Sequence, residues 1–157
     1  MKLIIVTGLS GSGKSVAIKQ LEDSGYHCID NLPLSFVIPV AKSLQQTQDY
    51  VAFAVDARSD FEGYAPEKLI KELNTQKDWD VRILFLTAST QELIQRFSET
   101  RRRHPLTLRF SKGNKNLTLA EVINKERELL EPYSVQAHVV DTTHLQSNTL
   151  RTWVKEF

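Results

Sequence analysis

A chain of 157 residues lies within the usual size of one domain, and an apolar content of 41% is enough to fill a single packed core. Twenty Lys and Arg nearly balance nineteen Asp and Glu, which excludes the overall positive field of a dedicated nucleic-acid binder. The single Cys28 excludes an internal disulfide, and the chain opens with neither a signal peptide nor an apolar stretch of bilayer length, so a cytoplasmic protein without membrane association is expected.

The first element, Leu3-Ile4-Ile5-Val6, is continuously apolar up to Gly8 and predicts a strand buried on both faces of a parallel sheet. Ser15 to Ser24, closed by Gly25, reads as a helix, and Tyr26 to Ile29 as the second strand. A helix over Leu34 to Gln46, a strand over Val51 to Val55 and a helix over Pro66 to Leu73 follow. Val81 to Leu86 is the fourth strand, and Thr90 to Arg103 the next helix. Thr118 to Glu131 then forms a helix that stops before Pro132, ahead of a fifth strand at His138 to Val140 and a last helix. Ser89 with Glu92, and Thr118 with Glu121, fit capping boxes, in which side chain and backbone satisfy each other's donors. Leu93, Ile94 and Phe97, and likewise Leu119, Val122, Ile123 and Leu130, fall on one face of their helices. Between these two helices, Arg103 to Leu117 reads as an irregular surface loop. Strands alternating with helices give an α/β, doubly wound, five-stranded and mostly parallel sheet with helices on both faces, in one domain over residues 1–157.

Gly8-Leu9-Ser10-Gly11-Ser12-Gly13-Lys14-Ser15 fits G-x-x-x-x-G-K-[ST] at every fixed position, directly after one predicted strand and before one predicted helix. Small residues let the backbone curl around phosphates, and the helix that starts near Gly13 adds its positive end. Lys14 reaches toward the terminal phosphates of ATP or GTP, and Ser15 supplies the oxygen ligand that Mg2+ requires. The motif in this context points to the P-loop NTPase fold of nucleoside and shikimate kinases.

In open α/β sheets ligands gather at the carboxyl ends of strands, where Asp30, Asp56 and Asp141 each follow a predicted strand. Asp56 either stands as a Walker B carboxylate that binds magnesium, directly or through water, forming the expected catalytic pair with Lys14, or serves ordinary strand-end turn chemistry. Asp30 either serves an acceptor hydroxyl or, with Asn31, caps the next helix; Asp141-Thr142-Thr143 either borders the nucleotide base or caps the last helix. Arg101-Arg102-Arg103-His104 closes the fourth predicted helix and reads as a lid that neutralises phosphate, as cations favouring the helix dipole, or, extended by Arg109, Phe110, Lys112 and Lys115, as a contact to RNA phosphates. The histidines His27, His104, His138 and His144 show no metal-ligand spacing, and Cys28 reads as a small buried hydrophobe.

With these residues assembled, the chain resembles the N-terminal domain of the RapZ/YvcJ family, bacterial P-loop proteins that include an RNase adapter acting on small regulatory RNA. The likeness rests on Gly8 to Ser15, on Leu21-Glu22-Asp23-Ser24-Gly25-Tyr26 leading into Asp30-Asn31-Leu32-Pro33, on Asp56-Ala57-Arg58-Ser59, and on Thr100 to Leu106. The resemblance implies ATP at Gly8 to Ser15, a GTP-associated motif at Asp56, Ala57, Arg58 and Ser59, and weak ATPase and GTPase activity. The guanine-reading motif N-K-x-D does not occur, so GTP is implied by the resemblance alone. Family members continue into a C-terminal domain responsible for RNA binding, whereas this sequence ends at Phe157. A nucleotide-responsive regulatory domain with slow hydrolysis is therefore expected, the rival being a small-molecule kinase that uses Asp30 to orient its acceptor. An RNA or RNase partner is expected of the longer family proteins more than of this domain, and the sequence leaves the oligomeric state open.

Overall fold

The computed structural model describes residues 1–55, 65–100, 104 and 118–157, and of Thr100 the backbone only. Within them the chain forms a five-stranded sheet in the order β2-β3-β1-β4-β5, with every neighbouring pair parallel. The strands are β1 (Lys2–Gly8), β2 (His27–Ile29), β3 (Tyr50–Ala54), β4 (Asp80–Thr87) and β5 (His138–Asp141). The helices are α1 (Lys14–Asp23), α2 (Leu34–Leu44), α3 (Pro66–Asn74), α4 (Thr90–Thr100), α5 (Leu119–Ser134) and α6 (Ser147–Glu156).

Because side chains alternate across a strand, the apolar run of β1 feeds two cores at once. Ile4 and Val6 pack with Ala52, Ala54, Leu84 and Leu86 beneath α1 and α6. Leu3 and Ile5 pack with Val51, Phe53, Ile83 and Phe85 beneath α2, α3, α4 and α5. The crossover from β1 to β2 thus runs over one face, and those from β2 onward run over the other, which keeps each parallel connection right-handed. The topological switch falls beside β1, so the loop after β1 borders the crevice at the carboxyl edge of the sheet.

The predicted strands and helices are all present with ends shifted by a few residues, while the end of the helix predicted to Arg103, and all of the loop predicted over Arg103 to Leu117 but His104, lie outside the described residues. One boundary needs correction: α5 does not stop before Pro132 but carries it inside the helix and ends at Ser134. Proline in the last turn removes one donor near a helix end that frays in any case. Thr118 and Glu121 form a complete capping box, as read from the sequence. At the start of α4 Ser89 Oγ accepts from the Glu92 N–H at 3.2 Å, while the Glu92 carboxylate accepts from Arg96 Nε at 3.1 Å. Among the described residues no helix is long and apolar enough to cross a membrane.

Candidate functional site

The loop between β1 and α1 is shaped by three glycines with positive φ: Gly8 at 139°, Gly11 at 83° and Gly13 at 113°. L-residues with a side chain rarely adopt these angles. At Gly8 the demand is steric as well, since a Cβ there would lie 2.1 Å from the Leu86 carbonyl oxygen of β4. Leu9 dives under the loop, is fully buried, and its N–H bonds the Leu86 carbonyl at 3.1 Å. Burying such a side chain contributes about 2 kcal/mol and pins one end of the loop to the core. Ser12 closes the turn, its N–H and hydroxyl both donating to the Leu9 carbonyl.

Gly13 is the N-cap of α1 and offers no side-chain cap, so the first-turn N–H groups of that helix lack the usual side-chain oxygen. The half-buried Lys14 folds back, its Nζ donating to the Gly8 carbonyl at 2.7 Å. Ser15 is exposed beside it. A positive helix end, an ammonium over the loop and an open hydroxyl are the donor set that fits phosphate oxygens with a hard cation.

Three side chains from distant elements hold this loop. The carboxylate of Glu126 on α5 is fully buried and accepts from the Ser10 N–H and from the Ser10 hydroxyl, each at 2.7 Å. His104 Nε2 lies 3.1 Å from the same carboxylate. Burial alone would raise the Glu126 pKa, but the hydrogen bond and charge of His104, the charge of Lys14 and the Ser10 hydrogen bond hold it below the ordinary carboxylate value. Arg96 on α4 donates to the Gly11 carbonyl at 3.0 Å and to the Thr142 carbonyl at 2.6 Å. The buried Thr142 hydroxyl, after β5, donates to the Ser12 carbonyl at 2.7 Å. Sequence reasoning singled out none of Glu126, Arg96 or Thr142 as a support of the loop. The signal for Glu126 was its place on the apolar face of α5, one turn from Val122 and Ile123.

His104, noted in the sequence only for its lack of metal-ligand spacing, pairs in the fold with the buried Glu126. Neither capping alternative holds: the N-cap of α2 is Pro33 and that of α6 is Gln146, neither with a side-chain cap bond. Asp30, exposed at the end of β2, instead accepts from the Asn31 N–H at 2.8 Å, with Asn31 at φ 54°. Asp141 accepts from the N–H and hydroxyl of Thr143, bonds that hold its carboxyl below the usual range. Asp56, Ala57, Arg58 and Ser59, and the basic residues Arg101, Arg102, Arg103, Arg109, Lys112 and Lys115, lie outside the described residues. Among the described residues no group of His, Cys, Asp and Glu could hold a metal ion by itself.

Cys28 is half-buried on β2, and desolvation, with Glu22 second, pushes its thiol up to about 11 from a reference of 9.0. A raised thiol pKa disfavours the thiolate, which is the nucleophile. Native Cys28 should therefore react with iodoacetamide near pH 7 about a hundredfold more slowly than in the urea-unfolded chain, a difference read by mass spectrometry.

A parallel sheet in this strand order, with a Gly-rich turn from β1 into an uncapped α1, defines a P-loop domain of the kinase-like type. The chain belongs to the RapZ-like N-terminal domain family, whose model matches residues 1–157. It is 50% identical to a nucleotide-binding protein of Burkholderia cenocepacia strain HI2424 and 49% identical to one of Paraburkholderia phytofirmans. Those matches cover 100% of this chain but 53% and 54% of the relatives, so the chain spans about half the length of the curated relatives it matches. Among solved structures it is similar to a shikimate kinase from Bacteroides thetaiotaomicron, with TM-score 0.57 at 13% identity, over 98% of this chain and 94% of that one. It is also similar to a gluconokinase from Sinorhizobium meliloti, with TM-score 0.56 at 15% identity, over 99% and 90% of the two chains. At these identities the likeness establishes the fold alone.

Proposed function

We propose that this chain is a nucleotide-binding regulatory domain that holds the phosphates of ATP, with magnesium, at Gly8 to Ser15 and hydrolyses nucleotide slowly. The observation that carries this reading is the positive-φ loop of Gly8, Gly11 and Gly13, set between a buried strand and an uncapped helix with Lys14 and Ser15 at its mouth. The names of the relatives as nucleotide-binding proteins support it. On binding, Lys14 Nζ exchanges the Gly8 carbonyl for phosphate oxygens, and the first-turn N–H groups of α1 take the remaining charge. Ser15 and Asp56 would hold the magnesium ion, which supplies charge neutralisation between the phosphates. Asp56 to Ser59 serve GTP in this reading, on the strength of the family resemblance. A link to RNA or to an RNase belongs to the longer proteins of the family and is proposed for them, not for this half by itself.

The kinase alternative draws on one observation, the exposed carboxylate of Asp30 at the end of β2, a position from which an acceptor hydroxyl can be oriented. Formation of ADP from ATP and of GDP from GTP, measured with and without a panel of hydroxylated metabolites, separates the two. The regulatory reading predicts slow turnover that no metabolite changes. Acceleration of about tenfold or more by one metabolite would contradict it and establish phosphoryl transfer.

A further inference from the structure

Glu126 occupies a core position of α5, where the neighbouring turns place Val122, Ile123, Leu130 and Tyr133. An ionised carboxylate there is costly unless its lone pairs are filled, and its partners are Ser10 of the phosphate loop and His104. Ser10 fills two acceptor sites with its N–H and hydroxyl, and His104 approaches the third. Because the Ser10 N–H points to Glu126, that peptide is anchored on the outer side of the loop and is not a phosphate donor in this arrangement. His104 meets the loop by a second route. Its ring lies 5.3 Å from that of Phe97, and a Cβ added at Gly11 would lie 3.5 Å from the Phe97 ring.

We propose that Glu126 is a positioning residue that couples the occupancy of the phosphate loop to the placement of His104. The proposal rests on the reading of Gly8 to Ser15 as a nucleotide cradle. Phosphates drawn to Lys14 add negative charge beside a carboxylate whose ionisation that same ammonium supports. The carboxylate then depends more on His104, so a filled loop tightens the His104 contact and an empty one relaxes it. Linkage makes the effect reciprocal: whatever withdraws His104 from Glu126 weakens nucleotide binding by the same factor.

The test follows the His104 imidazole and the Ser10 amide by nuclear magnetic resonance while the 157-residue chain is titrated with magnesium and ATP, with calorimetry on the same samples. Both resonances should move along the calorimetric saturation curve. Glu126→Leu should reduce the His104 response to what passes through Phe97, and Glu126→Gln, which keeps an acceptor for the Ser10 N–H, should restore part of the loss. His104→Ala and Glu126→Leu should each weaken ATP about tenfold, and the double variant no further, since both cut one link. Should Glu126→Leu fail to fold, the wild-type response and the pair His104→Ala with Glu126→Gln decide the matter. Normal calorimetric binding with an unmoved His104 resonance, or additive losses in the double variant, would overturn the coupling and leave the nucleotide site standing. An absence of calorimetric binding in the wild-type chain would overturn the site and the coupling together.

Discussion

Replacing Lys14 with alanine is expected to weaken binding of magnesium and ATP by about a hundredfold, or roughly 2.7 kcal/mol, while the thermal midpoint stays near that of the parent chain. The half-buried ammonium donates to the Gly8 carbonyl at 2.7 Å and stands at the first residue of α1, outside both apolar cores. Its removal leaves those cores intact, so the fold should persist. A charge-assisted bond to phosphate contributes more than a neutral one, because donor and acceptor both carry full charge. Calorimetric titration of both chains checks the prediction, and differential scanning confirms that the variant is folded. Loss of affinity together with loss of the thermal transition would assign Lys14 a structural role instead.

Gly8→Ala is expected to act on the fold itself. The added Cβ would stand 2.1 Å from the Leu86 carbonyl oxygen, 2.7 Å from its nitrogen and 2.9 Å from its carbonyl carbon, all of them backbone atoms of the paired strand β4. Relief requires β1 and β4 to separate at the centre of the sheet, and φ of 139° adds strain of its own. A cost above about 3 kcal/mol follows, against a typical total stability of about 5–15 kcal/mol. For a domain of this size the thermal midpoint should fall by roughly 6–12 °C or more, as measured by scanning calorimetry. Gly13 provides the contrast, since a Cβ there meets the far end of the Leu150 side chain at 2.9 Å, which can rotate away. A Gly8→Ala chain that melts like the parent would show that the sheet tolerates an opening at Leu86.

The fold was readable from sequence because its signals are local. Each buried strand is a short apolar run bounded by turn residues, and the Thr118 and Glu121 capping box marks the start of α5 within four residues. The loop motif was readable for the same reason: Gly8, Gly11 and Gly13 stand where the backbone needs positive φ. The end of α5 was misread because a proline in a final turn removes a single donor, a loss too small to stop a helix whose Tyr133 is already buried. The supports of the loop were not readable, because they reach it from far along the chain. Ser10 and Glu126 are separated by 116 residues, Gly11 and Arg96 by 85, and Ser12 and Thr142 by 130. Periodicity ranks Glu126 as an interruption of an apolar face. Only the packing of α5 against the loop gives its carboxylate three partners.

The nucleotide cradle is tested most directly by mapping backbone amide shifts while magnesium and ATP are added to the intact chain. Gly11 to Ser15 should move first and furthest, saturating with the calorimetric isotherm, and Lys14→Ala should displace that movement to about hundredfold higher ATP. Shifts centred elsewhere on the sheet, with Gly11 to Ser15 unmoved at saturation, would contradict it.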